Sequence, residues 1–259
     1  MTSEAFRLEG RAALVTGATS GIGAACARLL AARGARVMLS GRSRERGEEV
    51  AAEIRAAGGD ADFSVGDLRE AGCCDRIVED ALARFGALDV LVNNAGISLA
   101  ASVPETTDAQ WEETLDTNLG AVFRLSRAAL RPMRARGRGV IVNVASDWGL
   151  VGGERAAAYC ASKGGMVLLT RAMALDHARE GIRINAVCPT DTDTPMMERD
   201  FRQRGVSAEQ GGRESAAAIP LGRMATAHEV AEAVCFLASD AASFLTGVAL
   251  PIDGGTTAG

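Results

Sequence analysis

Tyr159 is the single tyrosine in 259 residues, and Lys163 is the single lysine in a set of 28 Lys and Arg side chains. They lie four positions apart, between Ala156-Ala157-Ala158 and Gly164-Gly165-Met166-Val167-Leu168-Leu169, in sequence that predicts a helix. On a helix such a pair shares one face, with Cβ atoms roughly 5–6 Å apart. A phenol titrates near 10, too high for acid–base work at neutral pH. A positive charge about 4 Å away is worth roughly 4 kcal/mol at an effective dielectric of about 20. At ~1.4 kcal/mol per pKa unit that lowers the phenol by up to about three units, toward the working range of general acids. The compact lysine ammonium, with three rotatable donors, also leaves capacity for a second contact. The competing explanation is chance proximity in an arginine-biased chain.

Such a pair needs a reaction partner and elements that hold it in place. Residues 12–16 form a short apolar run, read as a strand, which ends in Gly17-Ala18-Thr19-Ser20-Gly21-Ile22-Gly23. Residues 24–32 continue at helical spacing to Gly34, a helix stop. Strand, glycine turn and helix form the setting of a dinucleotide-binding loop. Glycines let backbone approach a pyrophosphate, and the helix N-terminus favours its charge. Residues 36–40 read as a second strand, followed by Gly41-Arg42-Ser43. An acidic residue about twenty positions after the glycine loop holds the ribose hydroxyls of NAD. Gly41 takes that place here with Arg42 beside it, and a guanidinium there pairs with a 2′-phosphate. NADP(H) is favoured on this ground; with Arg42 as a solvated loop residue, NAD(H) stays open.

Residues 61–65 make a third strand closing at Gly66-Asp67-Leu68, and residues 88–92 a fourth, nearly continuous apolar strand ending in Asn93-Asn94-Ala95-Gly96. Apolar runs of that kind are expected where both faces of a parallel sheet are covered. Thr107-Asp108-Ala109-Gln110 predicts a capping box opening a long helix with Asn118 in its interior, a poor position for asparagine unless it faces solvent. Pro132 should kink or end that helix. Residues 139–145 read as the fifth strand, which puts Ser146, Asp147 and Trp148 at its carboxyl end. Ligands of open α/β sheets sit there, so Ser146 is expected to face the site.

The helix of Tyr159 should run to about Glu180 and stop at Gly181, before a sixth strand over 182–187 that meets Cys188-Pro189-Thr190. Residues 191–219 turn polar and glycine-dotted after an apolar start at Met196-Met197; they read as a mobile substrate lid or, alternatively, a surface helix pair. An amphipathic helix over 227–239 and a strand over 247–252 complete an unbroken alternation. That pattern predicts one α/β domain over 1–259 with a parallel sheet.

A net charge of −5 and a sequence pI near 5.3 argue against a nucleic-acid surface. The basic run 131–138 is read as a solvated helix end. The six cysteines (Cys26, Cys73, Cys74, Cys160, Cys188, Cys235) show no metal-ligand spacing, and only His177 and His228 could join them, so no metal site is expected. Reduced, mostly buried cysteines fit a cytoplasmic protein. The first six residues are polar, without a signal-peptide core, and no apolar run reaches membrane-spanning length.

Five stretches together resemble the short-chain dehydrogenase/reductase family over essentially the whole chain. They are Thr16-Gly17-x-x-x-Gly21-Ile22-Gly23, Asn93-Asn94-Ala95-Gly96, Ser146, Tyr159-x-x-x-Lys163, and the closing Leu245-Thr246-Gly247 to Asp253-Gly254-Gly255. The resemblance implies a single-domain Rossmann fold, a doubly wound parallel sheet of about seven strands with helices on both faces. It implies a catalytic set of Asn118, Ser146, Tyr159 and Lys163. Tyr159 would exchange a proton with the reacting oxygen, Ser146 would orient that oxygen, Lys163 would bind the nicotinamide ribose and lower the phenol pKa, and Asn118 would anchor a water relay. Gly17, Ser20, Ile22 and Gly23 would line the pyrophosphate, Asp67 and Leu68 the adenine, and Asn94, Ala95 and Gly96 its ribose. Pro189, Thr192 and Thr194 would sit by the nicotinamide. The family usually has Pro-Gly where this chain has Pro189-Thr190.

Within the family the pattern is closest to bacterial 3-oxoacyl-(acyl carrier protein) reductases and related alcohol and sugar dehydrogenases. One arginine of their carrier-docking pair is matched by Arg131, but Asp176 stands in the second place. Trp148 and Arg155 are expected to border the substrate pocket, or else to be plain packing and surface. The resemblance implies an NADP(H)-linked carbonyl reductase or, alternatively, an NAD-linked alcohol, polyol or sugar dehydrogenase, working as a homotetramer or homodimer. A silent nucleotide-binding module is the third possibility.

Overall fold

The computed structural model describes residues 6–259; residues 1–5, which carry most of the polar N-terminal stretch, lie outside the description. The first half of the chain runs β1 Ala12–Thr16, α1 Gly21–Ala32, β2 Arg36–Gly41, α2 Arg44–Ala56, β3 Asp60–Val65, α3 Cys73–Phe85 and β4 Val90–Asn93. The second half runs α4 Asp108–Leu115, α5 Ala121–Arg136, β5 Gly139–Val144, α6 Ala157–His177 and β6 Ile182–Pro189, then β7 Thr192–Asp193, α7 Pro195–Gln203, α8 Ala208–Ala218, β8 Ala225–Thr226, α9 Ala227–Ala238 and β9 Ala249–Ile252. Among the described residues seven strands form one sheet in the order β3-β2-β1-β4-β5-β6-β9, all parallel.

The period-two alternation of strand side chains sorts the core into two layers. Ala13, Val15, Val37, Leu39, Val92 and Val142 pack on one face against α1, α2 and α9. Leu14, Met38, Leu91, Ile141 and Ile184 pack on the other against α3, α5 and α6. Leu91 is fully buried, and its truncation to Ala would cost about 2–5 kcal/mol. Strand order reverses between β1 and β4, which opens a crevice at the carboxyl ends of the central strands.

The expected elements form with shifts of a residue or two at their ends, and three local readings change. Pro132 does not end its helix, which continues to Arg136. A proline removes one N–H near the helix end, and the fully buried Met133 keeps the last turn packed. The long helix from Thr107 is broken into α4, a π-helical turn at Asp116–Gly120 that carries Asn118, and α5. Asn118 does not face solvent; it is fully buried. Residues 191–219 contain two helices, α7 and α8, set beside the short parallel pair β7–β8.

Candidate active site

The glycine loop forms the floor of the crevice. Gly17 (φ 64°) and Gly21 (φ 54°) adopt backbone that side chains rarely reach. A Cβ at Gly23 would meet the Gly17 carbonyl oxygen at 2.3 Å, so Gly23 serves close packing behind the loop and, contrary to expectation, does not line the cleft. Thr16 Oγ1 accepts from the backbone N–H of Asn94 (3.1 Å) and of Ala95 (3.2 Å). Asn94 Nδ2 donates to the carbonyl oxygens of Thr16 (3.0 Å) and Gly17 (3.3 Å). These bonds hold the two central strand ends apart at a set width.

Above this floor runs a cleft of about 520 Å³. Gly17, Ser20, Ile22, Arg42, Asp67, Leu68, Asn94, Ala95, Gly96 and Thr194 line it. Arg46, Ser40 and Thr19 line it too and were not foreseen. Arg46 lies in the first turn of α2, which opens just after Arg42. Ser40 is buried at the end of β2 with no hydrogen-bond partner for its hydroxyl. Arg69 clamps Asp67 and holds its carboxyl down at about 2.

A second cavity of about 220 Å³ shares Ile22, Asn94, Gly96 and Thr194 with this cleft and reaches Ser146, Tyr159 and Lys163. β5 delivers Ser146 at its carboxyl end, and the first turns of α6 deliver Tyr159 and Lys163. Lys163 Nζ donates to the Val144 carbonyl at 2.8 Å and lies 5.6 Å from the Tyr159 ring centroid. Asn118 accepts from Ile97 N (2.8 Å) and donates to Ile97 O (2.9 Å) and to Ser162 Oγ (3.1 Å). A side chain built at Gly96 would meet Asn118 Oδ1 at 3.2 Å and Lys163 Nζ at 3.7 Å, which puts both groups behind that glycine.

The electrostatics differ from the expectation of a lysine-lowered phenol. Burial pushes the Tyr159 phenol up to about 12; the Ser146 hydroxyl opposes this, and the Asp147 and Asp191 carboxylates add to it. Burial pulls the Lys163 ammonium down to about 8. The phenol, half-buried in the cavity wall, loses part of its hydration, while the buried ammonium directs a donor at a carbonyl. The helical spacing alone could not show either effect.

Trp148 lines this cavity and meets Tyr159 edge-on, with ring centroids 6.2 Å apart and planes at 82°. Pro189, Thr190 and Thr192 line it as well, and Met196, Met197, Asp200 and Arg204 reach it from α7 and the residue after it. Arg155 does not border it; its guanidinium turns outward to Glu105, at 2.9 Å. Arg131 likewise pairs with Asp75. Gly165 packs inside the subunit, where a Cβ would meet Leu119 at 2.9 Å. Asp147 was left without a role in the sequence, yet it is buried in the cavity wall (4% exposed). Its place one residue beyond a strand that ends at the site was the available signal. Among the described residues no group of three or more His, Cys, Asp or Glu side chains is arranged to hold a metal ion.

The family described as enoyl-(acyl carrier protein) reductase matches residues 17–257. The chain belongs to the short-chain dehydrogenase/reductase family. As a member it is an oxidoreductase built on the Rossmann sheet described above. The chain is 45% identical to the cis-4-hydroxycyclohexanecarboxylate dehydrogenase of Sinomonas cyclohexanicum, with 96% of this chain and 97% of that one covered. It is similar to a variant of actinorhodin polyketide ketoreductase solved with NADPH (TM-score 0.91, 40% identity, 95% and 97% covered). It is also similar to a gluconate 5-dehydrogenase from Burkholderia cenocepacia J2315 solved with NADP and tartrate (TM-score 0.91, 36% identity, 99% and 98% covered). Among the described residues no helix is long and apolar enough to cross a membrane.

Proposed function

We propose that this short-chain dehydrogenase/reductase interconverts a carbonyl and a secondary alcohol with NADP(H), using Tyr159 as general acid and base. The carrying observation is that Ser146, Tyr159 and Lys163 meet in one cavity that opens into the glycine-floored cleft. NADP(H), when bound, supplies or removes the hydride. The cleft fits such a dinucleotide: a cradle at Gly17 and Gly21 that a Cβ would fill, a buried hydroxyl at Ser40 without a partner, and Arg42 with Arg46 beside it. Gly17, Ser20 and Ile22 would face the pyrophosphate, Asp67 and Leu68 the adenine, Asn94 to Gly96 its ribose, and Arg42 with Arg46 a 2′-phosphate. Two similar proteins solved with NADPH and NADP support the phosphorylated form.

Burial keeps Tyr159 protonated at neutral pH, so the phenol is ready to donate to a carbonyl oxygen. Lys163 would hold the nicotinamide ribose, and Asn118, tied to Ile97 and Ser162, would anchor its proton route. Pro189, Thr192 and Thr194 would flank the nicotinamide. Trp148 and residues 191–219 would close over the substrate, because Met196, Met197 and Arg204 reach the cavity from that segment.

One observation favours a hydroxylated substrate, hence an alcohol, polyol or sugar dehydrogenase: Asp147, Asp191 and Asp200 present acceptors to the cavity. A homotetramer or homodimer is supported by Trp111, Phe123, Leu168 and Leu175, exposed apolar side chains on α4, α5 and α6. A cytoplasmic, reducing compartment accords with six free cysteines.

The test is turnover of NADPH and NADH with a panel of ketones, oxoacyl thioesters, alcohols and sugars. Tyr159→Phe should abolish turnover while cofactor binding persists; undiminished turnover in that variant overturns the reading.

A further inference from the structure

The Ser146 hydroxyl has one proton and two lone pairs, and the structure shows where two of these three go. Ser146 Oγ donates to Asp147 Oδ1 at 2.9 Å. The backbone N–H of Trp148 donates both to Ser146 Oγ (3.2 Å) and to Asp147 Oδ1 (2.8 Å). Ser146 and Asp147 are 6% and 4% exposed, so water does not compete freely for these bonds. An ionised carboxylate only accepts hydrogen bonds, and charge-assisted bonds are the stronger ones, so the serine proton stays on the aspartate side. Two donors bond that carboxylate, Ser146 Oγ and Trp148 N; burial raises its pKa, and these donors, with the side chain of Thr190, the residue that replaces the family's usual glycine, act to lower it. What Ser146 has left for the cavity is a lone pair.

We propose that Asp147 is a positioning residue: it commits the Ser146 proton, so the site binds an alcohol in preference to the matching ketone. The proposal rests on the reading of the site given above. An alcohol carries an O–H that the free lone pair of Ser146 accepts. A ketone oxygen offers only lone pairs and finds one donor, the Tyr159 phenol, where a serine without an acidic neighbour would provide a second. Thr190 then has a use: its hydroxyl supports the carboxylate that sets the serine.

The test compares KM and kcat for one ketone–alcohol pair in both directions, with the full chain and saturating NADPH or NADP+. Asp147→Ala frees the serine proton, so KM for the ketone falls while KM for the alcohol, still met by the serine lone pair, stays near its value. Their ratio should move by about tenfold, the scale of one hydrogen bond. The equilibrium constant cannot change, so with cofactor affinity unaltered the kcat ratio, taken ketone over alcohol like the KM ratio, moves in the same direction by the same factor. Asp147→Asn, which keeps the shape and an acceptor for Trp148 N, should shift the ratio in the same direction by less, and it carries the test if the alanine variant does not fold. In a Ser146→Ala background Asp147→Ala should leave the ratio where it is, because the effect runs through that hydroxyl.

A ratio that stays constant, two KM values that rise together, or an equal shift in the Ser146→Ala background would each overturn the proposal. Tyr159→Phe separates the two levels: if it keeps full turnover, the reading of the site fails. If turnover needs Tyr159 and the ratio is unmoved, only the role of Asp147 fails.

Discussion

Between β1 and β4 the floor of the cleft is tied by hydrogen bonds among Thr16, Gly17, Asn94 and Ala95, and Gly23 leaves no room for even one added carbon. Across the cavity, α7 buries only Phe201, and α8 buries only Gly211 and Ser215. Other ties there are the buried Ile219 packed on Gly254, a two-residue strand pair and exposed ion pairs such as Arg204–Glu214 at 2.8 Å. Surface pairs of that kind are worth about 0–1 kcal/mol each. The floor therefore arrives pre-shaped, whereas the wall opens at low cost and can accommodate change. On the function proposed above, dinucleotide binding falls to the rigid half and substrate choice to the adjustable one.

The largest expected effect tests whether the chemistry belongs to the rigid half. Tyr159→Phe should lower kcat about a thousandfold, the scale of a lost general acid, with NADPH affinity nearly unchanged by fluorescence titration. Gly23→Ala should break the floor itself. Its Cβ would press on the Gly17 carbonyl and on the Asn94 amide bonded to it, so dinucleotide affinity should fall about a hundredfold and denaturant stability by about 1–3 kcal/mol. Arg42→Ala sharpens the comparison within the cleft: NADPH should bind about ten- to a hundredfold more weakly and NADH equally well, on the scale of a charged hydrogen bond. Equal losses for both cofactors would remove Arg42 from the phosphate.

Stability against pH reads the buried pair. Lys163 titrates at about 8 in the fold against 10.5 ordinarily, so its burial cost is fully present below pH 8 and is relieved as pH rises toward 10.5. Tyr159, raised from 10 to about 12, works the other way: its contribution is intact below pH 10 and fades between 10 and 12. The cofactor-free protein should gain stability from pH 8 to 10 and lose it above. Lys163→Met should abolish the rise and add up to about 3 kcal/mol at pH 7, which urea melts across the range would show. The smallest effect on cofactor binding is expected from Phe201→Ala. Limited proteolysis within 191–219 should quicken several-fold while NADPH affinity changes less than about threefold. Slow cleavage in that variant would refute the idea of an adjustable wall.

Much of this organisation is legible in the chain because it is local. Apolar runs with period two, Gly17-x-x-x-Gly21-x-Gly23, the Thr107 cap and the Tyr159–Lys163 spacing each reflect physics acting over a few residues. The π-helical turn at Asn118 escaped because propensity scales describe a regular helix, and the side chain sits there on bonds to Ile97 and Ser162 from other segments. Arg155 was read either as bordering the pocket or as plain surface, and Glu105, fifty positions earlier, holds it on the surface.

Sequence alone determined the order of strands and helices, the glycine-lined turn and the set of side chains able to handle a proton. These follow from backbone sterics and from which residues water expels. Only the tertiary structure decided the charge states and hydrogen-bond directions at the site: a phenol raised rather than lowered, an ammonium turned to Val144, a serine proton committed to Asp147. Desolvation and hydrogen-bond geometry depend on what surrounds a group in space. Those surroundings come from β5, α6 and the turn after β6, segments that meet only once the sheet has closed.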